Sequence, residues 1–478
     1  MEAAPLSQSI ASLTRAAGVR RVLSFAAAMA AGASLRFWML HTFFEVNGDS
    51  QVYGHLAKNL LLHGQYAFSD GSGGLYSTLI RLPGYPFFLA ACFRVFGMEN
   101  YYWAAVVQIV MELAGCLLLA WTAERISPPG YRAAAAHATM WLAALCPFTA
   151  IYAAEPLTEA PTVFCIAVAL WAAARFVDHE DWTAALAITF AVTYAALLRP
   201  DGALVGISLA TPALLALGRR QRAGRGGGRM ALVCVLLAAA PFAWWTARNA
   251  RVFHVFEPLA PRYANDPGEE TWPGWQRWVK TWSLDFVSTY QVYWNMPGSS
   301  MAITDLPARA FDSAAQRAET AKLFADYDAN GEEMSPALDA QFAQLARQRI
   351  ADHPLRYYVG LPLGRMADMW VRPRVENLPI DLDWWVYAHH NSETRFSWFY
   401  AGLNALYLLL AAIGLWLRPR FWRWMLLYLV LRSALLCNLE APEARYTIEC
   451  FPMLFVVGGV AIGRVFAPGR RAARAFQS

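Results

Sequence analysis

Arg81-Leu-Pro-Gly-Tyr-Pro-Phe-Phe-Leu-Ala-Ala-Cys-Phe-Arg-Val-Phe96 decides how the rest of the chain is oriented. Its apolar part, 85–96, is about 12 residues long, whereas a membrane span needs about 20. A short apolar piece behind a Pro-Gly-Tyr-Pro turn predicts an interfacial or re-entrant helix, not a crossing. With this piece left uncrossed, the N-terminus lies on the same side as every basic cluster in a short loop. These clusters are Arg15 with Arg20 and Arg21, Arg125 with Arg132, Arg175, the run 218–229, the run 418–423, and Arg470, Arg471 and Arg474. Lys and Arg in short loops mark the cytoplasmic side. Were 85–96 to cross, the run 218–229 would fall outside, so the uncrossed topology is preferred.

Working outward, the chain has 478 residues, of which 57% are hydrophobic and 16% charged. Soluble domains carry roughly 25% charge, so lipid is the main solvent expected here. Twenty Trp and twenty Tyr suit interfacial belts. The net charge of +5 comes from short basic loops and does not point to nucleic acid. Seven scattered cysteines (Cys92, Cys116, Cys146, Cys165, Cys234, Cys437, Cys450) form no CxxC, and most lie in apolar runs, where they read as small hydrophobes. The apolar stretch 22–44 is too long for a signal-peptide core and reads as a retained first span.

About ten spans are expected by length: 22–44, 102–124, 133–152, 158–177, 182–198, 201–217, 230–247, 397–417, 421–437 and 447–466. The organisation predicted is a cytoplasmic N-terminus (1–21), a membrane bundle (22–247) with a first external loop at 45–101, an external domain (248–395), C-terminal membrane helices (396–466) and a cytoplasmic basic tail (467–478). The external domain has helical patterning over 307–350. Phe311, Ala315, Ala318 and Lys322 fall on one side, followed by Leu338, Phe342, Leu345 and Ile350. Its start, with Trp272, Trp275, Trp278 and Trp282, looks interfacial.

The polar residues gather on the external side. Asp49 opens a helix-like run, and Tyr53 four residues on shares its face. Gly-Asp-Ser is a good helix start, so Asp49 is either a cap alone or a reactive carboxylate. Glu155-Pro-Leu-Thr-Glu159 brings a second pair of acids to that side. Acids at a helix N-terminus complement its dipole, and two acidic loops on one side also suit a general base and its helper. Arg81, Arg199, Arg248 and Arg445 stand at external span ends. Each either binds phosphate oxygens or pairs with Glu155, Glu159, Asp201 or Glu443 as a structural bridge. Within the spans, Arg36 is near the outer end and is expected to snorkel, and Glu112 to face the bundle. Asp326-Tyr-Asp328-Ala-Asn330-Gly331 matches half of a calcium loop, but Ala337 replaces the required Glu, so it reads as a turn. P-loop, GxSxG and HExxH motifs are absent.

These pieces resemble the polytopic GT-C glycosyltransferases, in particular the bacterial relatives of the protein O-mannosyltransferases and of the aminoarabinose transferase (glycosyltransferase family 39-like). The resemblance rests on Gly48-Asp49-Ser50 with Tyr53 and Ala57, Gly64-Gln-Tyr66, the quoted run from Arg81 with Gly97, Tyr152 with Glu155 and Glu159, Leu198-Arg-Pro200, Arg248-Asn249, and Arg445-Tyr446 with Pro452. It covers roughly 20–250 and 395–465. Leu82 stands where the family usually has a second Pro, and Ser50 where the eukaryotic mannosyltransferases have Glu.

The resemblance implies an all-α GT-C-like bundle with interfacial helices in the first external loop and a small, mostly helical external domain. It implies a membrane glycosyltransferase that moves a sugar from a polyprenyl-phosphate-linked donor to a lipid, glycan or protein acceptor on the non-cytoplasmic face. Asp49 is then the general base and Glu155 its helper. Tyr53, Lys58, Arg81, Glu159, Arg248, Arg445 and Tyr446 are expected to bind substrate, with the guanidiniums on the donor phosphate. No cofactor is called for and no metal-ligand cluster is visible, while a divalent metal stays open. The expected location is the plasma (inner) membrane, with both termini cytoplasmic and the site on the periplasmic or extracellular face. A transporter or flippase of lipid-linked sugars is the alternative. Transporters place polar groups near the midplane, often in repeated halves, and here the acids and arginines lie at one face without a visible repeat.

Overall fold

The computed structural model describes residues 4–46 and 48–466, with side chains from residue 18 onward. The basic tail at 467–478 and the first three residues lie outside the described residues, as does the Arg15 side chain. The chain separates into two compact units. One comprises 1–267, 406–429 and 449–478, and the other 268–405 and 430–448. Residues 248–267, expected in the external domain, therefore group with the membrane bundle.

The membrane unit begins with α1 (Ala4–Phe43), of which Gly18–Phe43 is long and apolar enough to span. The segment after it builds α2 (Gly48–His63), a hairpin of β1 (Ala67–Ser69) and β2 (Leu75–Ser77), and α3 (Gly84–Phe96). The hairpin was not foreseen. Its turn is held by Asp70, whose Oδ1 accepts from the Ser72 amide at 2.9 Å and the Gly74 amide at 2.8 Å, the usual Asp turn chemistry. α4 (Tyr101–Ile126), the bent pair α5 (Arg132–Ala144) and α6 (Pro147–Ala154), α7 (Glu159–His179), α8 (Trp182–Leu198), α9 (Leu204–Arg222) and α10 (Gly227–Phe253) complete the N-terminal bundle.

Among the described residues, seven helices are long and apolar enough to cross a membrane, or eight if the α5–α6 pair, bent by 50°, counts as one span. All ten expected spans fall on helices. Two of them, Trp182–Leu198 with 17 residues and Trp422–Leu436 with 15, are not among those seven or eight. The quoted stretch forms the 13-residue α3, also short of a span. Apolar side chains face outward along the spans. Leu232, Val235, Leu236 and Leu237 of α10 are each more than half exposed, as a lipid-facing helix requires. The protein is thus a predominantly helical, multi-pass membrane protein, with one two-stranded hairpin among the described residues.

Small residues set the close helix contacts, as is usual in lipid. In α18 (Phe451–Val465), a Cβ on Gly463 would come within 2.5 Å of the Ala135 backbone on α5. One buried ion pair crosses this core. Arg36 Nε meets Glu112 Oε2 at 2.8 Å, and Arg36 Nη1 also donates to the Ala144 carbonyl at 2.7 Å. Arg36 is fully buried, so the expected snorkelling does not occur. The lipid side offers its guanidinium nothing, whereas Glu112 and the carbonyls at the α5 break satisfy it.

The second unit is mostly helical: α11 (Pro273–Lys280), the one-turn α12 (Phe286–Ser288), α13 (Ala314–Ala329), α14 (Pro336–Asp352), α15 (Leu361–Val371), and parts of α16 (Asn391–Trp416) and α17 (Trp422–Leu436). Its core is aromatic. Trp275, Trp278 and Trp282 are at most 2% exposed and pack with Phe324, Tyr327 and Phe342. These Trp residues are core anchors and not the interfacial belt expected of them, since α13 and α14 supply the apolar partners. Leu338, Phe342 and Leu345 are buried as expected. On α13 the buried stripe is Thr320, Leu323, Phe324 and Tyr327, and the expected Ala315, Ala318 and Lys322 face outward. The aromatic positions outweigh the small ones in choosing the face. The calcium-like run falls on the end of α13, with Asn330 as its C-cap, in agreement with a turn.

Candidate active site

Asp49 lies in the first turn of α2, half-buried. Its Oδ1 accepts from Arg81 Nη2 at 2.8 Å. Arg81 stands just before α3, and the Arg81 guanidinium lies 6.0 Å from the Tyr53 ring centroid. Tyr53 packs edge-on against the Tyr85 ring at 5.0 Å. The Tyr85 hydroxyl donates to Gln108 Oε1 at 2.6 Å, and Gln108 Nε2 donates to the Glu155 backbone carbonyl at 2.6 Å. A continuous relay of packed and hydrogen-bonded groups thus links the head of α2 to the loop that carries Glu155. Gly84 lets the head of α3 approach α8, because a Cβ there would meet the Leu197 carbonyl at 2.5 Å.

Glu159 opens α7 and is 1% exposed. Its Oε1 accepts from Arg199 Nη1 at 3.0 Å. Arg199 Nε also faces Asp201 at 3.5 Å and Glu449 at 3.2 Å, and Glu449 is fully buried. One guanidinium therefore serves three carboxylates. Burial first, then the Asp49 carboxylate, push the Tyr53 phenol up to about 12, with Arg81 and Arg199 pulling the other way. Asp49, Arg81, Arg199 and Glu159 thus all act electrostatically on one hydroxyl. Burial opposes the charge on Arg81, yet its guanidinium is held above the ordinary value, with the hydrogen-bonded Asp49 carboxylate beside it. The site keeps a neutral phenol and a firmly charged arginine side by side.

Other expected residues are used differently. Arg248 donates from Nη1 to the Thr78 carbonyl at 2.7 Å and from Nη2 to the Tyr66 carbonyl at 2.8 Å, with the Trp245 and Phe253 rings at 5.2 Å. It latches the hairpin loop to α10. Tyr66 in turn donates to the Arg81 carbonyl at 3.0 Å, so the latch holds the segment that presents Arg81. Lys58 pairs with Glu99 at 2.8 Å. In the second unit Arg445 pairs with Glu443 at 2.5 Å, and the Tyr446 hydroxyl bonds the same carboxylate. The bridging alternative accordingly describes Arg199 and Arg445. An apolar cavity of about 310 Å³ is lined by Pro83, Gly84 and Phe87 at the head of α3 and by Tyr194, Leu197, Pro241 and Trp244.

Sequence reasoning missed Glu449 and Gln108. An acid inside the last apolar run is an intramembrane ionisable group, which is a signal in its own right. It also missed a possible ligand cluster. Asp381, Asp383 and His390 each place one ligand atom within 4.8 Å of the others.

Residues 81–245, from Arg81 through α10, match the family model described as dolichyl-phosphate-mannose-protein mannosyltransferase. Over that stretch the chain is similar to this family of membrane glycosyltransferases. The matched stretch is about a third of the chain and includes Arg81, Glu155, Glu159 and Arg199. A membrane glycosyltransferase is the activity this match supports. Among solved structures, ArnT from Cupriavidus metallidurans bound to undecaprenyl phosphate is similar at 15% identity and a TM-score of 0.40, covering 95% of this chain and 79% of that one. The apo form of that protein is similar at 14% identity and a TM-score of 0.38, covering 96% and 79%. Among curated proteins, none matches the sequence.

Proposed function

We propose that this protein transfers a sugar from a polyprenyl-phosphate-linked donor to an acceptor hydroxyl at the non-cytoplasmic face, with Asp49 as general base. The observation that carries the reading is the Asp49–Arg81 pair at 2.8 Å, and an apolar cavity lined from Pro83, two residues after Arg81, supports it. An anionic, greasy donor needs those two surfaces together: a guanidinium for the phosphate and an apolar groove for the prenyl chain. Arg is suited to phosphate because its donors match two oxygens at once.

The pair also suggests an order of events. Without donor, Arg81 holds the Asp49 carboxylate. A bound donor phosphate competes for the guanidinium and releases Asp49 to accept a proton. The acceptor oxygen then bonds to the anomeric carbon as the anomeric carbon–oxygen bond to phosphate breaks. The proton passes to Asp49, and the charge developing on the departing polyprenyl phosphate is met by Arg81. Tyr53, neutral and adjacent, is placed to donate a hydrogen bond. Glu155 assists from its loop, while Glu159 acts through Arg199 to hold α7 and the 199–201 turn in place. Lys58, Arg248, Arg445 and Tyr446 are supporting or structural in this scheme.

The test uses the full-length protein in liposomes with a polyprenyl-phosphate sugar. Asp49→Asn is expected to lower kcat for transfer or donor hydrolysis by about 10²–10⁴-fold, the span of a lost general base, with donor affinity retained. Arg81→Ala should weaken donor binding instead. Equal activity of wild type and Asp49→Asn, both folded, overturns the assignment.

A further inference from the structure

We propose that the helical stretch from Leu355 to Val371 anchors the second unit to the membrane, with its outward face seated among the acyl chains of one leaflet. The stretch is a π-turn (Arg356–Gly360) running directly into α15. Leu355, Val359, Leu363 and Val371 stand four or eight residues apart, and their exposures run from 49% to 78%. Ala367 fills the remaining place in that series and is exposed as well. Tyr358, beside them, is 67% exposed. Residues four apart share one side of a helix, so an apolar stripe runs the whole length, roughly 24 Å at 1.5 Å per residue. The opposite side is closed. Leu361, Arg365 and Met369 are buried there, and Arg365 Nε donates to the Ser283 carbonyl at 2.9 Å. A Cβ on Gly364 would come within 2.3 Å of the Leu284 side chain, so this side is clamped to the unit's own core.

Three observations make lipid the occupant. The first is what holds the end of the helix. Asn404 Nδ2 donates to the Trp370 carbonyl at 2.7 Å and to the Arg372 carbonyl at 3.3 Å. Arg374 Nη1 donates to the Ala444 carbonyl at 2.9 Å. Asn404 lies midway along α16 and Ala444 opens the stretch Ala444–Val465, and both of these helices are long and apolar enough to cross a membrane. The C-terminal end of the stripe is therefore fastened to spans. The second is charge. None of the three charged residues between 355 and 371 joins the stripe. Arg356 is held by both oxygens of Asp312, Arg365 is buried, and Asp368 faces Arg372 at 3.5 Å. A bare apolar face with its charges turned aside is the pattern of a helix lying in the headgroup–acyl boundary. The third is the chain that follows. Pro373, Arg374 and Val375 are buried, and irregular backbone at membrane level requires such cover by protein. The anchor does not depend on the transferase reading.

The test uses the full-length protein in vesicles of phosphatidylethanolamine and phosphatidylglycerol. A photoreactive benzoylphenylalanine replaces Leu363 on the stripe or, as a control, Lys322, an exposed polar position on α13 of the same unit. After irradiation, intact-protein mass should show a gain of one phospholipid for the Leu363 replacement and none for the Lys322 replacement. Thermal melts check folding. If the Leu363 replacement does not fold, the same group at Tyr358 carries the test. No lipid adduct from a folded stripe variant, equal adducts at the stripe and at position 322, or a covalent dimer in place of the lipid adduct each overturn the proposal. The last of these would assign the face to a second copy of the chain.

Discussion

The two ends of α7 carry opposite surpluses of charge. At its start, Glu159 shares Arg199 with Asp201 and Glu449, so three acids surround one base. At its end, Glu180 faces Arg219 and Arg225, and Asp178 faces Arg125 and Arg420. The helix has 21 residues, so the ends lie about 30 Å apart, the thickness of a bilayer core. The first end is buried: Glu159 and Glu449 are at most 1% exposed. At the second, Arg219, Arg225 and Arg420 are each more than 40% exposed. One end is a closed polar network that fixes geometry. The other is an open cationic collar of the kind that favours the cytoplasmic leaflet. Three of the basic loops used to orient the chain, those of Arg125, of 218–229 and of 418–423, meet at one end of this helix, and the Asp49–Arg81 pair belongs electrostatically with the other, through Tyr53.

The contrast makes graded predictions. Arg199→Leu leaves Glu159 and Glu449 buried without their cation, and breaking such a pair typically costs about 3–5 kcal/mol. The thermal midpoint in detergent should fall sharply, and a fall no larger than that of an exposed-pair variant would contradict a closed network. Arg248→Ala comes next. It removes charge-assisted bonds to the Thr78 and Tyr66 carbonyls, each worth about 1.5–3 kcal/mol. Amide exchange over 66–82 should quicken, with kcat falling because Arg81 loses its support. Loss of donor affinity alone, with exchange unchanged, would return Arg248 to the phosphate.

Tyr53 gives a smaller, diagnostic effect. Its phenol is held near 12, so it stays protonated throughout pH 6–10 and contributes no basic limb to the rate profile. Tyr53→Phe should lower the rate without changing the shape of that profile, and an inflection below pH 10 that vanishes in Tyr53→Phe would refute the neutral role. The least effect belongs to Asp178→Asn, at the collar. Asp178 and its partners Arg125 and Arg420 are all partly exposed, and surface pairs are worth about 0–1 kcal/mol. A shift in melting comparable with that of Arg199→Leu would erase the distinction between the ends.

The local placement of several candidate site residues was readable from local rules. Asp49 at a helix start, Arg81 before a Pro-Gly turn and Glu159 at the head of a span are all signalled by neighbours within a few residues. What was not readable depended on partners far away in sequence. Arg248 looked like a phosphate ligand until the hairpin carbonyls, about 170 and 182 residues earlier, filled its nitrogens. Arg36 looked able to reach the surface until Glu112 and the α5 break enclosed it. The Trp run looked interfacial until Phe324 and Phe342 buried it.

Hydropathy and the placement of arginines were enough to establish a multi-pass helical membrane protein and to sort its loops into two sets, because transfer into lipid is scored residue by residue. Which guanidinium stays beside Asp49, which is consumed by three acids and which latches a loop was decided only when the helices packed. Ion pairs and hydrogen bonds depend on distance between side chains, and that distance is a property of the assembled bundle.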